Sequence, residues 1–433
     1  MIPETTYSTL RIASRKLATC SEEEINNALK NVAISLEKQK KLILEANRHD
    51  IERERQKGTK ESLIDRLSLS EERLTAIINS LNSVIAQPSP IGKVVDGWTT
   101  PNGLKIEQVR VPIGVTAIIY ESRPNVTIDA FALAYKSGNS ILLRGSSSAI
   151  NSNKAIVKAI KEGLSTSRNP NSLKVGIPEA LELAPSIDHS EVDEIVTARG
   201  KIDLVLPRGS KRLIQTVLDK ARVPVIETGS GVCHLYVDKT ADIESAVKIA
   251  ENAKLQRPGV CNAIETLLVH KDIINSFIPV LVETFLGRAQ LRCDEQTLLI
   301  AKKAAVSSQN EATKNTDIIP ATQEDFGYEF LDYILAIKTV NSVNEAIEHI
   351  NKFNTKHSES IITQNMNNAT KFQEEVDASC VYVNASTRFT DGEEFGFGTE
   401  LGISTQKLHV RGPMGLQALT TTKYFIRGKG QIR

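Results

Sequence analysis

Cys261 is the residue of this chain whose surroundings most favour nucleophilic chemistry. It follows Gln256-Arg257-Pro258-Gly259-Val260, and Asn262-Ala263 lead from it toward the strand-like run Thr266–Val269. Ala246, Ile249, Ala250 and Ala253 recur at helical spacing before it, and Pro258 and Gly259 break that helix. A cysteine on a sharp turn between a helix and a buried strand is held by backbone on both sides, so its sulfur can be aimed at a cleft. Arg257 nearby favours the thiolate, the nucleophilic form. The competing reading is a buried structural thiol, because free cysteine is among the most buried residue types.

Other chemistries have less to work with. Cys20, Cys233, Cys261, Cys293 and Cys380 are odd in number and widely spaced, with no CxxC pair. That argues against a disulfide framework and a zinc site, and for a reducing compartment. The seven histidines show no metal-ligand spacing. A formal net charge of +1 gives no reason to expect nucleic acid or a membrane surface as partner. The opening Met-Ile-Pro-Glu-Thr-Thr-Tyr has no basic stretch before an apolar core, and no apolar run approaches the roughly 18 residues of a membrane span. The expectation is a soluble cytoplasmic protein.

The elements that must position Cys261 read as alternating strands and helices. Residues 1–87 are predicted helical: Ser21 and Glu24 form a capping box, and Ile25, Ala28, Leu29, Val32 and Leu36 mark one face. Arg48–Lys60 reads as a charged, solvent-exposed stretch, and Ser70 caps a further helix that Pro88 and Pro90 stop. Asn102-Gly103 between two β-prone runs predicts a hairpin over 94–112, and Leu419–Ile426 is strand-like. These ribbons read equally well as an oligomerisation platform or as ordinary surface structure.

From 113 to 228 the pattern is β–α repeated. Strands are expected at Ile113–Ile119, Ser140–Arg144, Ile202–Leu206 and Val223–Ile226, with helices over Asp129–Ser137, about Asn151–Leu164, and from Ser210 to Ala221. Such alternation implies a doubly wound parallel sheet. Small residues after two strands, at Gly145–Ser148 and Gly209-Ser210, open helices whose N-termini suit anions. Residues 231–410 form a second α/β block, with strands at 233–237, 264–269, 334–340 and 380–384. The glycine-rich Asp391–Gly402, with two phenylalanines and four acids, suits a cleft-lining loop. No GxGxxG fingerprint is present, since Gly229-Ser-Gly231 runs into Val-Cys-His.

Several phrases together make the chain similar to the aldehyde dehydrogenase superfamily, whose cofactor domain lacks that fingerprint. They are Val-Pro-Ile-Gly-Val with Glu-Ser-Arg-Pro-Asn-Val-Thr (111–127), Leu-Leu-Arg-Gly-Ser-Ser (142–147), Pro-Arg-Gly-Ser (207–210) and Glu-Thr-Gly-Ser-Gly-Val-Cys-His (227–234). Gln-Arg-Pro-Gly-Val-Cys-Asn (256–262), Asn-Ala-Ser-Thr-Arg-Phe-Thr-Asp-Gly (384–392) and Gly-Thr-Glu-Leu-Gly-Ile-Ser-Thr (398–405) complete the set. The nearest resemblance is to the branch that reduces L-glutamate 5-phosphate to L-glutamate 5-semialdehyde in proline biosynthesis. It implies an aldehyde dehydrogenase-like fold of two doubly wound α/β domains plus a small β-hairpin oligomerisation element. The division expected is 1–96 with 113–228 for cofactor, 229–412 for catalysis, and 97–112 with 413–433 for oligomerisation.

The resemblance also implies roles. Cys261 matches the nucleophile, and Asn125 the amide that joins the cysteine's own N–H in an oxyanion hole; on its own, Asn125 reads as a turn residue after Pro124. Glu227 stands where the superfamily has its general base, but Thr-Gly-Ser replaces the usual Leu-Gly-Gly, and transfer to phosphate needs no activated water. Glu329 falls where a glutamate holds the nicotinamide ribose. Many NAD-using relatives carry an acid where Ser147 stands, and its absence, with Arg144 and Ser146 beside it, points to NADP(H). Gly209 and Ser210 would take the pyrophosphate. Arg257, Arg388 and Arg411 are candidates for the substrate's carboxylate and phosphate, each equally readable as a surface arginine. A homo-oligomer is expected, with the labile acyl phosphate made by a separate glutamate 5-kinase. Two rival readings stay open: an aldehyde or acyl-CoA reductase of the same superfamily, and a non-catalytic scaffold that kept the fold.

Overall fold

A computed structural model describes residues 1–167, 176–185, 188, 190–307 and 318–433. The chain divides into two compact units. One comprises Met1–Thr228, Gly396–Gly402 and Pro413–Arg433, and the other Gly229–Phe395 and Ile403–Gly412.

The first unit begins with five helices: α1 (Glu4–Leu17), α2 (Glu22–Lys38), α3 (Lys40–Gln56), α4 (Glu61–Leu67) and α5 (Glu71–Ala86). The expected capping box opens α2, with Ser21 Oγ accepting the Glu24 N–H and Glu24 accepting the Ser21 N–H, and its predicted apolar face is buried. The charged stretch Arg48–Lys60 departs from expectation. Most of it continues α3, and Asp50 and Glu54 are buried. Asp50 is stabilised there because Ser152 donates to it from backbone and hydroxyl at 2.8 and 2.7 Å, with Arg53 at 2.8 Å.

Strands β1 (Val94–Thr99) and β2 (Lys105–Pro112) pair antiparallel, and β2 pairs in turn with the C-terminal strand Thr420–Arg427. Thr99 faces Lys105, so Asn102-Gly103 lies inside a five-residue loop, with Gly103 at φ +89°. The parallel sheet of this unit has the order β5-β4-β3-β6, from β3 (Val115–Tyr120), β4 (Ser140–Arg144), β5 (Leu181–Leu183) and β6 (Leu204–Arg208). Helices α6 (Asn125–Lys136), α7 (Ile150–Thr166), α8 (Ser190–Thr197) and α9 (Lys211–Lys220) follow its strands. The continuous apolar runs of β3 and β4 are fully buried, as a sheet covered on both faces requires. A side chain at Gly163 would strike the backbone of Val32, so glycine there lets α7 lie directly on α2. The strand expected at Val223–Ile226 is reduced to one bridge, Val225 to Val205. Pro224 has no N–H to donate to a ladder.

The second unit holds a seven-stranded parallel sheet. Its strands are β7 (Cys233–Val237), β8 (Ile264–His270), β9 (Gln290–Cys293), β10 (Ile318–Pro320), β11 (Ile334–Val340), β12 (Ser358–Ile362) and β13 (Cys380–Val383). Their order is β10-β9-β11-β8-β7-β12-β13. Helices α10 (Ile243–Leu255), α11 (Ile274–Phe285), α12 (Glu295–Ser307), α13 (Val343–Phe353) and α14 (Met366–Glu375) cover it. One core gathers Leu235, Leu267, Phe277, Leu281 and Ile337, and a second gathers Tyr236, Ile350 and Phe372. No helix among the described residues is long and apolar enough to cross a membrane.

Candidate active site

In the second unit α10 ends at Leu255, Pro258 and Gly259 turn the chain, and β8 begins at Ile264, so Cys261 sits on the turn between helix and strand. It is half-buried, and its neighbour Asn262 is buried. The Asn262 amide donates to the carbonyls of Thr390 and Arg388 at 2.9 and 3.3 Å, and its own carbonyl accepts from Thr387 Oγ1 at 2.7 Å. Arg388 donates through Nη1 to Asn262 Oδ1 and through Nε to Gln256 Oε1 at 3.0 Å. The residue after Cys261 is therefore clamped to the 387–390 loop.

Gly231 closes the other side. A Cβ there would lie 1.5 Å from the Cys261 carbonyl oxygen, a separation no other residue tolerates. The Gly231 N–H donates to Glu329 Oε1 at 2.6 Å. Two residues on, Leu331 has φ +54° and donates its N–H to Glu265, whose other oxygen is 2.5 Å from Lys254 Nζ. Both members of that pair are inaccessible, and burial pushes the Glu265 carboxyl up to about 7 and the Lys254 ammonium down. Glu329, expected at the nicotinamide ribose, thus accepts the N–H of the glycine that packs against the Cys261 carbonyl.

The arginines fare differently from one another. Burial lowers the Arg388 pKa, Asp391 opposes that, Arg257 adds to it, and attraction to Cys261 opposes it again. The charges of Arg257 and Cys261 thus both act on Arg388. Arg257 is exposed and makes no side-chain hydrogen bond or ion pair among the described residues. Arg411 instead pairs with Asp377 at 2.6 Å. Against the opposing effect of burial, hydrogen bonds from Lys407, Arg411 and Lys356 hold that carboxyl well below the usual carboxylate range.

In the first unit Asn125 is the first residue of α6, and its amide donates to Asp129 Oδ2 at 3.1 Å. Asp129 is buried, which raises its carboxyl to about 6 despite Arg208 and the hydrogen bonds from Asn125 and Thr399. The i, i+4 spacing of Asn125 and Asp129 was a signal available in the sequence. Glu227 is half-buried in the extended stretch after Ile226.

Both helix N-termini expected to take anions already hold carboxylates of this unit. Asp50 accepts the N–H groups of Asn151 and Ser152 at the start of α7. Glu121 accepts the Ser210 N–H at 2.7 Å, and a Cβ on Gly209 would meet its carboxylate at 2.5 Å. Ser122, at φ +41°, donates its N–H to Ser146, and its hydroxyl bonds Ser148 at 3.0 Å. Ser147 is exposed. Arg53, far away in sequence, donates to the carbonyls of Ser147 and Ser148 at 2.7 and 2.8 Å. Arg144 is buried, with Nη2 on the Asp188 carbonyl at 3.0 Å; burial lowers its pKa, opposed by Glu191, Asp188 and Glu121. Among the described residues, no group of three or more His, Cys, Asp or Glu is arranged to hold a metal.

Comparisons agree across the whole length. The aldehyde dehydrogenase family matches residues 11–325 and 329–424. A gamma-glutamyl phosphate reductase of Dictyoglomus turgidum is 50% identical over 424 residues, covering 98% of this chain and 97% of the relative. The enzyme of that name from Clostridium acetobutylicum is also 50% identical over 424 residues, covering 98% and 96%. The crystal structure of gamma-glutamyl phosphate reductase from Thermotoga maritima superposes with a TM-score of 0.92 at 48% identity, over 99% of each chain. An acetylating aldehyde dehydrogenase from Geobacillus thermoglucosidasius, 16% identical, shares the fold with a TM-score of 0.68, over 99% of this chain and 97% of that one. The chain is an oxidoreductase that belongs to the aldehyde dehydrogenase family and, within it, to the gamma-glutamyl phosphate reductases.

Proposed function

We propose that this enzyme reduces L-glutamate 5-phosphate to L-glutamate 5-semialdehyde with NADPH, releasing phosphate, in proline biosynthesis. The observation that carries this reading is the near-50% identity to gamma-glutamyl phosphate reductases over the whole chain, with the Cys261 turn clamped as a nucleophile loop. The Cys261 thiolate attacks the acyl carbonyl, the C–O bond to phosphate breaks, and a thioester remains. Asn125 and the Cys261 N–H stabilise the oxyanion. When bound, the reduced nicotinamide supplies the hydride. The resulting thiohemiacetal expels the Cys261 thiolate and leaves the semialdehyde. Two easier steps replace one hard reduction. Glu227 is not required as a base, because phosphate rather than water takes the acyl group in reverse.

A nicotinamide cofactor follows from the family. The donors near Ser147 fit its NADP form: hydroxyls at Ser146, Ser147 and Ser148, the guanidinium of Arg53, and no acid at 147. Arg144, three residues before Ser147, would contribute charge. Gly209 and Ser210 would accept the pyrophosphate once Glu121 yields the Ser210 N–H. Arg257, with its unengaged guanidinium, is our first choice for the substrate's anionic groups, ahead of Arg388 and Arg411. Exposed Val94, Trp98, Tyr424 and Ile426 on the antiparallel sheet support a homo-oligomer. The acyl phosphate would come from a separate kinase.

The test is NADP reduction by glutamate 5-semialdehyde, with and without phosphate, for wild type and Cys261→Ala. Phosphate-dependent activity lost in the variant is expected. Phosphate-independent activity would replace this reading with a hydrolytic aldehyde dehydrogenase and return Glu227 to the role of base.

A further inference from the structure

We propose that the Cys233 thiol is a positioning residue for catalysis, donating its S–H to the Cys261 carbonyl and so fixing the peptide that carries the nucleophile. The inference rests on the reading of Cys261 as nucleophile. Cys233 opens β7, is fully buried, and places Sγ 3.1 Å from the Cys261 carbonyl oxygen. Burial, with the charges of Glu359 and Cys261 behind it, pushes this thiol well up, so it keeps the proton it donates. It is thus chemically unlike the half-buried Cys261 on the loop it supports.

The carbonyl has little freedom. Gly231 lies against it so closely that a methyl group would overlap it, and Cys233 is two residues further along the same segment. The next carbonyl, that of Asn262, is held by Thr387 Oγ1 at 2.7 Å. The Cys233 thiol holds the 261–262 peptide and Thr387 holds the 262–263 peptide after it, so the backbone that sets the direction of Cα–Cβ at Cys261 is restrained on its C-terminal side.

Cys233 is itself backed by a buried polar chain. Its sulfur is 3.7 Å from His357 Nδ1, which lies 2.8 Å from Ser358 Oγ. Ser358 Oγ is 2.7 Å from Thr390 Oγ1, and that hydroxyl is 2.7 Å from the Tyr382 hydroxyl. Burial lowers His357 to about 4, so its ring is neutral near pH 7 and does not compete as a cation for the thiol. Thr390 also holds the Asn262 amide through its carbonyl. The chain therefore leaves the nucleophile loop at Cys261 and returns to it at Asn262.

The experiment compares Cys233→Ala, Cys233→Ser and Thr387→Val with wild type and Cys261→Ala, reading kcat and the NADP KM of phosphate-dependent semialdehyde oxidation alongside melting temperature. Cys233→Ala is expected to lower kcat about tenfold, because misdirection of a reacting group is felt in the rate, with KM within about twofold. Cys233→Ser, which keeps a donor, should recover to within about threefold of wild type. Wild-type kcat in Cys233→Ala, or a serine variant as slow as the alanine one, overturns the proposal. If Cys233→Ala does not fold, Thr387→Val decides: a kcat loss at unchanged KM supports it, and wild-type kcat overturns it. Activity retained in Cys261→Ala would instead overturn the nucleophile assignment itself.

Discussion

Asp129→Asn is expected to make the protein more stable and the enzyme slower. Asp129 is 8% exposed and its carboxyl is raised from 3.8 to about 6, with burial the largest cause. Its pKa is raised in the folded state, so the stability linked to it is full below the unfolded value near 3.8. That stability is lost as pH climbs through about 6. Holding the ionised group in place costs about 3 kcal/mol at pH 7.5 and about 1 kcal/mol at pH 4.5. An isosteric amide removes that cost and weakens the hydrogen bond from Asn125, so a net gain of about 1–3 kcal/mol is expected at pH 7.5. The same change deprives the Asn125 amide of its anionic acceptor, and kcat should fall roughly 3–30-fold if that amide is an oxyanion donor. Chemical denaturation at the two pH values, with kcat at pH 7.5, is the assay. A variant destabilised by more than about 1 kcal/mol at pH 7.5, by an amount that does not change with pH, would refute the reasoning.

Glu121→Gln removes a negative charge from the Ser210 N–H, and the KM for NADP should fall about threefold to tenfold if the pyrophosphate binds there; a raised KM in steady-state assays would mean that Glu121 helps to hold the cofactor. Lys254→Met leaves Glu265 buried without its partner and should destabilise by about 3–5 kcal/mol in urea titrations, and a loss below about 1 kcal/mol would contradict the pairing. Ile426→Asp, on the exposed strand Thr420–Arg427, should shift the mass measured by light scattering toward monomer; an unchanged oligomer would place the interface elsewhere.

What was legible in the chain was what is local. Ser21 and Glu24 announce their capping box three residues apart, and the buried runs Val115–Tyr120 and Ser140–Arg144 need no distant partner to be recognised as strands. The turn at Pro258-Gly259 set Cys261 between helix and strand for the same reason. What stayed hidden depends on distant partners. Asp50 reads as a surface acid until Ser152, 102 residues away, donates to it. Ser358-Glu359-Ser360 gives no apolar signal, yet it is a fully buried strand between β7 and β13. Gly209-Ser210 looks like an open anion site because nothing nearby in sequence reveals that Glu121 already fills it. Resemblance points to Glu329, but its contact with Gly231 spans 98 residues and is invisible to any local pattern.

The most direct test of Cys261 as nucleophile is to mix enzyme, NADP and glutamate 5-semialdehyde without phosphate and follow both NADPH and the mass of the Cys261 peptide. One equivalent of NADPH per active site, with a glutamyl adduct on that peptide that disappears when phosphate is added, is the expected result. Steady turnover without phosphate, an adduct on another residue, or the same burst from Cys261→Ala would contradict it.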